Sequence, residues 1–165
     1  MSSRSLFFIG FLLCASMIAV AGYFQFIKGL EPCPLCSLQR MSVLLVGIVF
    51  LLATLQNPKS IGIRIYGFFI TVLALAGAAV SAWHIRLQNL PEDQVPDCGP
   101  GLNFMLDNFP LSDAIDMIFR GSGECAEVLW TFVGISIPGW TLAAFVLLTA
   151  MGSMQLFRTI RSDYF

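Results

Sequence analysis

The segment Glu31-Pro32-Cys33-Pro34-Leu35-Cys36-Ser37-Leu38-Gln39-Arg40 leads directly into an apolar run, from Met41 to Leu55, that predicts a helix. Cys36 then lies at or near the N-terminus of that helix, where unpaired backbone N–H groups and the positive end of the helix dipole favour a thiolate. Arg40 follows Cys36 by one helical turn, so its guanidinium is predicted on the same face. Two thiols at this spacing can close a disulfide or act as a dithiol with one activated sulfur. The segment therefore predicts a redox pair at the foot of a long apolar helix.

The composition and four long uncharged runs predict a membrane protein. Hydrophobic residues make up 57% of the 165-residue chain and charged residues only 12%, whereas a soluble protein is about 25% charged. A membrane-spanning helix needs roughly 20 mostly apolar residues. We therefore expect an all-α membrane protein, a four-transmembrane-helix bundle that forms one integral membrane domain over residues 1–165. The approximate spans are 6–26, 41–55, 65–82 and 138–157, the last with Pro138 in its first turn.

The charged residues predict how the bundle is oriented. Five of the 9 Lys and Arg residues fall on one side of the predicted bundle, whereas nine of the 10 Asp and Glu residues fall on the other. Lys and Arg concentrate on the cytoplasmic side of a membrane. Residues 1–5, 56–64 and 158–165 are therefore predicted to be cytoplasmic, and the loops 27–40 and 83–137 are predicted to lie on the outer side.

The first apolar run also resembles a signal peptide. Arg4 precedes it, and Ala19-Val20-Ala21 supplies the small residues of a cleavage site. The run is longer than a usual signal core, however, and Ala15, Ala19 and Gly22 form a stripe of small residues suited to helix packing. We expect the run to be retained as the first span, a point that the intact mass of the protein tests.

The third span ends beside the outer surface. Small residues recur along it at helical spacing and predict close contact with a neighbouring helix: Ala74, Gly77, Ala78 and Ser81. Trp83 is predicted to anchor the membrane interface. A lone histidine beside a tryptophan is more often an interfacial side chain than a functional one. His84 and Arg86 follow at the same outer surface as Arg40, however, which keeps His84 as a candidate for function.

The second outer loop is too long to lack a function. Within it, apolar residues at helical spacing predict a short amphipathic helix lying on the outer leaflet: Leu111, Ala114, Ile115, Ile118 and Phe119. Cys98 and Cys125 flank this helix, so we expect both on flexible arms just above the membrane.

Four of the five cysteines lie on the predicted outer side, where disulfides persist: Cys33, Cys36, Cys98 and Cys125. The fifth, Cys14, is interpreted as a small buried hydrophobe. Four thiols could bind zinc or an iron–sulfur cluster, but the second pair is widely separated in the chain and we expect no metal. Two structural disulfides in a membrane module without turnover are a further alternative, although a bond between Cys33 and Cys36 closes too short a loop to stabilise much. Thiol–disulfide exchange is the favoured interpretation.

Exchange requires a donor and an acceptor. A water-soluble partner protein can reach the loop cysteines, whereas a lipid-soluble oxidant can reach the pair at the membrane surface. Quinone carbonyls gain negative charge on reduction, and cations stabilise that charge. The four outer cysteines are therefore the predicted catalytic residues, and Arg40 and His84 are the predicted quinone-binding residues. The protein is predicted to lie in a lipid bilayer. Bound flavin, haem and a nucleic-acid partner are not expected.

Several separate motifs resemble those of the DsbB family of bacterial inner-membrane proteins. They are Cys-Pro-Leu-Cys-x-x-Gln-Arg from Cys33, His-x-x-Leu-Gln-x-x-Pro from His84, Cys-Gly-Pro-Gly-Leu from Cys98, and Gly-x-Cys-Ala-Glu around Cys125, with Trp130 following. The resemblance covers essentially the whole chain. A vitamin-K-epoxide-reductase-like protein is the alternative among enzymes, but there the Cys-x-x-Cys pair comes after the loop cysteines.

The resemblance implies that the chain reoxidises the periplasmic thiol oxidase DsbA, with both termini cytoplasmic and the active cysteines periplasmic. It implies attack by DsbA at Cys98, exchange of Cys125 with Cys33, and release of Cys36 as a thiolate near Arg40. Electrons then pass to membrane quinone, either ubiquinone or menaquinone.

Overall fold

The structure is a computed structural model that describes residues 2–30, 32–91, 110, 113, 123–128 and 130–157. In chain order its elements are helices α1 (Ser3–Phe26), α2 (Pro34–Gln56), α3 (Ile61–Gln88) and the single turn α4 (Gly123–Ala126), then strands β1 (Thr131–Phe132) and β2 (Ile135–Ser136), and helix α5 (Ile137–Leu156). Cys98, the predicted cytoplasmic segment 158–165 and, apart from Asp113, the predicted amphipathic helix lie outside the described residues.

Four of the described helices are long and apolar enough to cross a membrane. Helices α1, α2, α3 and α5 have 24, 23, 28 and 20 residues, and a helix of about 20 residues spans about 30 Å, the thickness of the hydrocarbon core. The predicted class, an all-α membrane protein with a four-helix bundle, is confirmed.

The helices extend beyond the predicted spans on the side that carries the cysteines. Helix α2 begins at Pro34 and not at residue 41, and α3 continues past residue 82 to Gln88. His84 therefore lies in the last turns of a helix and not in a loop. Helix α5 has Ser136 as its N-cap and proline in its first turn, as predicted, and ends at Leu156.

Glycines allow α3 and α5 to pack closely. A Cβ atom at Gly77 would collide with the Phe145 ring, and one at Gly67 would lie 2.9 Å from the Gly152 carbonyl oxygen. Ala74 and Ser81 are also buried, so the predicted contact face of α3 is confirmed at these positions. The helices α1–α2, α2–α3 and α3–α5 are neighbours, whereas α1 and α5 barely touch. The bundle is therefore open between its first and last helices.

The prediction that α1 packs through a stripe of small residues is wrong for Ala15 and Ala19, while Gly22 is half-buried. Ala15 and Ala19 are exposed, and α1 packs instead through Phe7, Gly10 and Cys14. The reason is that α2 offers a large side chain, Phe50, whose ring fills the space beside Gly10. Cys14 is buried against Gly47, which confirms its interpretation as a small core residue.

A β-hairpin precedes α5. Thr131 pairs with Ser136 and Phe132 with Ile135 across a tight turn at Val133 and Gly134, whose φ angles of 54° and 76° are positive. The sequence analysis did not predict it, because valine rarely adopts a positive φ and so gives no turn signal. Trp140 of α5 donates its indole N–H to the Phe132 carbonyl oxygen at 3.2 Å, which ties the hairpin to the helix.

Candidate active site

The first turn of α2 brings Cys33 and Cys36 together. Cys33 is the N-cap residue, and its Sγ accepts the backbone N–H of Cys36 at 3.4 Å. Pro34 fits the first helical position because that position has no intrahelical N–H bond to lose. The prediction that Cys36 lies at a helix N-terminus is therefore confirmed. The two Sγ atoms are 3.2 Å apart, beyond the bonded distance of about 2.05 Å, so both are thiols in this structure.

The last turns of α3 place His84 next to Cys33. His84 is 2% exposed, and its Nε2 lies 3.8 Å from Cys33 Sγ and 3.0 Å from the carbonyl oxygen of Cys125. On the other side of the ring, Nδ1 lies 3.2 Å from Nε2 of Gln39. When the Gln39 amide donates to Nδ1, the Nε2–H group of neutral His84 donates to the Cys125 carbonyl oxygen. A buried polar network thus fixes the ring against the sulfurs.

The single turn α4 brings a third sulfur to the same place. Sγ of Cys33, Sγ of Cys125 and a ring nitrogen of His84 all lie within 4.8 Å of one another, and we call these three residues the sulfur cluster. Cys125 is fully buried and packs with Leu35 and Leu87. The expectation of a flexible, exposed arm is therefore wrong for Cys125, because these apolar contacts hold α4 against α2 and α3.

Cys36 borders the same small cavity as Cys33 and His84 but also faces a second environment. It lines a cavity of about 100 Å³ between α1, α2 and α5, which we call the lateral cavity. The other lining residues are Met17, Ile18, Ala21, Phe24, Leu30, Pro32, Gln39, Arg40, Val43, Ile137 and Thr141. Most of them are apolar, so the cavity suits an apolar molecule with few polar groups.

Arg40 lines the lateral cavity and is held there by α1. Its guanidinium donates to Oε1 of Gln25 and, at 3.1 Å, to the carbonyl oxygen of Ala21. Among the described residues no hydrogen bond joins Arg40 to Cys36, although both line the cavity. Two bonds to α1 leave further N–H groups of the guanidinium for a bound acceptor.

Two neighbouring spaces complete the site. A wider apolar groove of about 380 Å³ between α1 and α5 shares Met17, Ala21 and Phe24 with the lateral cavity and is bordered by aromatic side chains of the hairpin region. A small cavity of about 30 Å³ is lined by residues that include Cys33, Cys36, His84 and Glu127. His84 therefore lies on the sulfur side of the site and not among the lining residues of the lateral cavity.

Sequence reasoning assigned no role to two glutamines of the site, and it placed Arg86 at the same outer surface as Arg40. Gln39 and Gln25 are polar residues in apolar runs, and a buried amide needs hydrogen-bond partners, a signal that could have identified both. Arg86 is exposed and its guanidinium lies 5.2 Å from the centre of the Trp83 ring. Arg86 is not among the residues that line the lateral cavity or the small cavity beside Cys33.

Four long apolar helices with converging thiols at one end define a multi-pass membrane protein equipped for thiol–disulfide chemistry. The model of the family described as "Disulfide bond formation protein DsbB" matches residues 3–155. The chain belongs to the DsbB family, and its role is that of an oxidoreductase in disulfide bond formation.

Curated relatives match almost the whole chain. The disulfide bond formation protein B of Nitrosococcus oceani is 58% identical over 159 residues, covering 96% of this chain and 94% of the relative. That of Hahella chejuensis is 49% identical and covers 98% of both chains. That of Methylococcus capsulatus is 50% identical and covers 93% of this chain and 94% of the relative.

Proposed function

We propose that this protein reoxidises the periplasmic thiol oxidase DsbA and passes the electrons through two cysteine pairs to membrane quinone. Cys98 and Cys125 form the pair that meets DsbA, and Cys33 and Cys36 form the pair that meets quinone. The observation that carries the proposal is the division of surroundings in the first turn of α2. Cys33 belongs to the sulfur cluster, while Cys36 lines an apolar cavity together with Arg40.

The first half of the proposed reaction is exchange between sulfurs. A DsbA thiolate attacks Cys98, breaks the Cys98–Cys125 bond and leaves Cys125 as a thiolate. Cys125 then attacks Cys33, breaks the Cys33–Cys36 bond and leaves Cys36 as a thiolate. This step is supported by the distance between the Cys33 and Cys125 sulfurs, which is at most 4.8 Å. A small shift can therefore bring them into bonding contact.

His84 is suited to position this exchange. Its Nε2 contacts both Cys33 Sγ and the Cys125 carbonyl oxygen, so it holds the two cysteines in one geometry. An N–H donor beside a sulfur also stabilises the thiolate that forms or leaves there. Its assignment as a quinone-binding residue stays a prediction, and the contacts to sulfur favour a role in exchange.

The second half of the proposed reaction takes place at the lateral cavity. A quinone bound there accepts two electrons and two protons and leaves as quinol. The second DsbA thiol first displaces Cys98 and releases oxidised DsbA, and the Cys98 thiolate then attacks Cys125, which re-forms the Cys98–Cys125 bond and frees Cys33. Cys36 supplies the reducing sulfur, Arg40 donates hydrogen bonds to a carbonyl that gains negative charge, and the freed Cys33 thiol re-forms the Cys33–Cys36 bond. DsbA gives up two electrons and two protons as its thiols become a disulfide, so the overall reaction balances. DsbA is a strong oxidant at about −120 mV, and coupling to quinone supplies the downhill step.

The groove between α1 and α5 gives a quinone access from the lipid. It is apolar and shares lining residues with the lateral cavity, so an isoprenoid chain can lie in it while the ring reaches Cys36. The proposed location is the bacterial inner membrane, with both termini cytoplasmic and the cysteine-bearing loops periplasmic. The distribution of charged residues supports this orientation.

One assay tests the proposed function. Purified protein is mixed with reduced DsbA and either ubiquinone or menaquinone, and the quinone absorbance is followed. The wild-type chain and Cys14→Ala, which alters only a buried core cysteine, are expected to turn over alike. Cys98→Ser and Cys125→Ser are expected to lose turnover, and full oxidation of DsbA by either variant would contradict the relay.

The orientation has its own test. A single cysteine introduced at Lys59 is expected to stay protected from a membrane-impermeant thiol reagent in intact cells. Labelling of that position would reverse the proposed topology.

A further inference from the structure

We propose that the reduced protein binds one thiophilic metal ion, such as Zn²⁺, through Cys33 Sγ, Cys125 Sγ and the Nε2 atom of His84. Metal binding at this site is separate from the redox reaction. The ion binds reversibly to the dithiol form and takes no part in turnover. The proposal does not rest on quinone or on DsbA, since it concerns only the three side chains of the sulfur cluster.

The separations of the three donor atoms suit a metal ion. Zinc binds sulfur at about 2.3 Å and imidazole nitrogen at about 2.0–2.1 Å in tetrahedral sites, which puts neighbouring ligand atoms roughly 3.5–3.8 Å apart. Cys33 Sγ and His84 Nε2 are 3.8 Å apart, and all three donor atoms lie within 4.8 Å of one another. Shifts of about 1 Å or less complete the coordination. The fourth position is left to water, as in zinc sites with three protein ligands.

The structure also offers space for the ion, and the charge of the ion would balance that of two thiolates. The cavity of about 30 Å³ is lined by Cys33, Cys36 and His84 and is large enough for one small ion beside two of the three proposed ligands, and Glu127 on its wall gives it an acidic border. Cys125 does not line this cavity, but its Sγ lies within 4.8 Å of the other two donor atoms. Two buried thiolates without a counter-charge would be costly. A divalent cation between them forms a neutral group, which removes that cost.

Gln39 allows the histidine to change tautomer. Nε2 must give up its hydrogen, and with it the bond to the Cys125 carbonyl oxygen, to bind a metal, so the proton moves to Nδ1, which lies 3.2 Å from the Gln39 amide. A glutamine can present either its NH₂ group or its carbonyl oxygen, and the carbonyl then accepts the Nδ1–H bond. A metal-binding histidine ordinarily donates its other ring N–H to an acceptor of this kind. The two thiols release their protons to solvent, and no electron is transferred.

Binding is expected to depend on the redox state. A disulfide sulfur is a poor metal ligand, so an ion binds only when Cys33 and Cys125 are both reduced. A bound ion in turn occupies the sulfurs that must join each other. The sulfur cluster is therefore a place where a soft metal ion holds the protein in its dithiol form.

The experiment uses the full chain in detergent, with an affinity tag free of histidine, reduced and then freed of reductant without air. Cd²⁺ is the probe, because cadmium–thiolate bonds absorb in the ultraviolet and ¹¹³Cd gives an NMR signal. The chain contains a single histidine, so every ¹⁵N-histidine resonance reports on His84. The expected result is one Cd²⁺ per reduced chain, scalar coupling between ¹¹³Cd and a His84 nitrogen, and no binding to the fully oxidised protein.

Matched variants separate the sulfur cluster from other thiols. Cys14→Ala and Cys98→Ser are expected to keep wild-type Cd²⁺ affinity, while Cys125→Ser and His84→Ala are expected to lose at least about 100-fold, because even outer-shell partners of a ligand are worth about 10–100-fold. If His84→Ala does not fold, the ¹⁵N-histidine signal of the wild-type chain decides alone. Binding without a change in the His84 resonances, binding that needs Cys98 but not Cys125, or no stoichiometric binding would each overturn the proposal. Quinone reduction is measured separately, so failure here leaves the proposed function intact.

Discussion

The sulfur cluster and the lateral cavity begin at neighbouring cysteines of one helical turn, yet their surroundings differ. Cys33 is 6% exposed and contacts the histidine ring, with a third cysteine beside it. Cys36 is half-buried and faces apolar side chains and Arg40. The first environment suits transfer between sulfurs, and the second suits an apolar electron acceptor.

The difference follows from the N-cap. Cys33 has extended backbone angles, with φ −63° and ψ 163°, so its side chain does not follow the helical direction that Cys36 adopts. Two sulfurs can therefore lie 3.2 Å apart and still meet different partners. If this is the basis of function, mutations on one side of the turn will leave the chemistry of the other side measurable.

The largest expected effect is that of Cys36→Ser. Quinone reduction is expected to fall at least about 1,000-fold, the scale on which removal of a reacting group acts. The sulfur cluster stays intact, so the Cys33 thiolate can still attack the loop disulfide and form a Cys33–Cys125 bond. Peptide mapping by mass spectrometry without reductant checks this. Retention of quinone reduction, or absence of the Cys33–Cys125 bond, would contradict the division between the two environments.

A smaller effect is expected for Arg40→Met. Charge-assisted hydrogen bonds are worth about 1.5–3 kcal/mol, so the KM for quinone is expected to rise about 10- to 100-fold. Arg40→Lys, which keeps the charge but loses the planar fork, is expected to lie between. The rate of Cys33–Cys125 exchange, measured by rapid acid quenching, is expected to fall by a smaller factor, because Cys36 leaves as a thiolate in the cavity that Arg40 lines. An unchanged KM would reduce Arg40 to a link between α2 and α1 through Gln25 and Ala21.

Gln39→Leu tests the environment of the sulfur cluster. A buried ring nitrogen left without its partner costs about 1–3 kcal/mol, which corresponds to roughly 2–10 °C in the unfolding midpoint of a chain of this size. The ¹⁵N resonances of His84, the single histidine, are expected to move and Cys33–Cys125 exchange to slow. Gln39→Glu, whose carboxylate accepts but does not donate, is expected to move the proton of neutral His84 to Nδ1, at the expense of the Nε2–H bond to the Cys125 carbonyl oxygen. Unaltered His84 resonances in Gln39→Leu would show that Gln39 does not set the tautomer.

Much of the fold was predictable because the bilayer imposes a simple rule. Long uncharged runs had to be helices, and the small side chains of Ala74, Gly77 and Ser81 indicated the face of α3 that packs. The face of α1 was not predictable in this way. Its contact residues depend on Phe50 in the next helix, a fact about the partner and not about α1 itself. The hairpin at Val133 and Gly134 lacked an ordinary turn signal.

The candidate site was predictable in its residue types but not in its grouping. Spacing along one helix related Cys36 to Arg40, and the structure has both in the lateral cavity. His84 and Cys125 come from segments far apart in the sequence, so their contact with Cys33 depends on how α3 and α4 pack against α2. Spacing could not predict that His84 lies on the side of the sulfurs, nor that Cys125 is fully buried.

The smallest expected effect concerns the groove that leads to the lateral cavity. Val20 lines this groove and is half-exposed, so Val20→Trp narrows the path without touching Cys36 or Arg40. If the substitution displaces one methylene of a bound isoprenoid chain, binding loses about 0.8 kcal/mol, or about fourfold in KM. The matched control is Leu12→Trp, on the same helix but outside both cavities. The increase is expected for a long-chain quinone and absent for a short-chain analogue. Equal effects on both would mean that the groove does not hold the chain, and the acceptor would then have to reach Cys36 by another path.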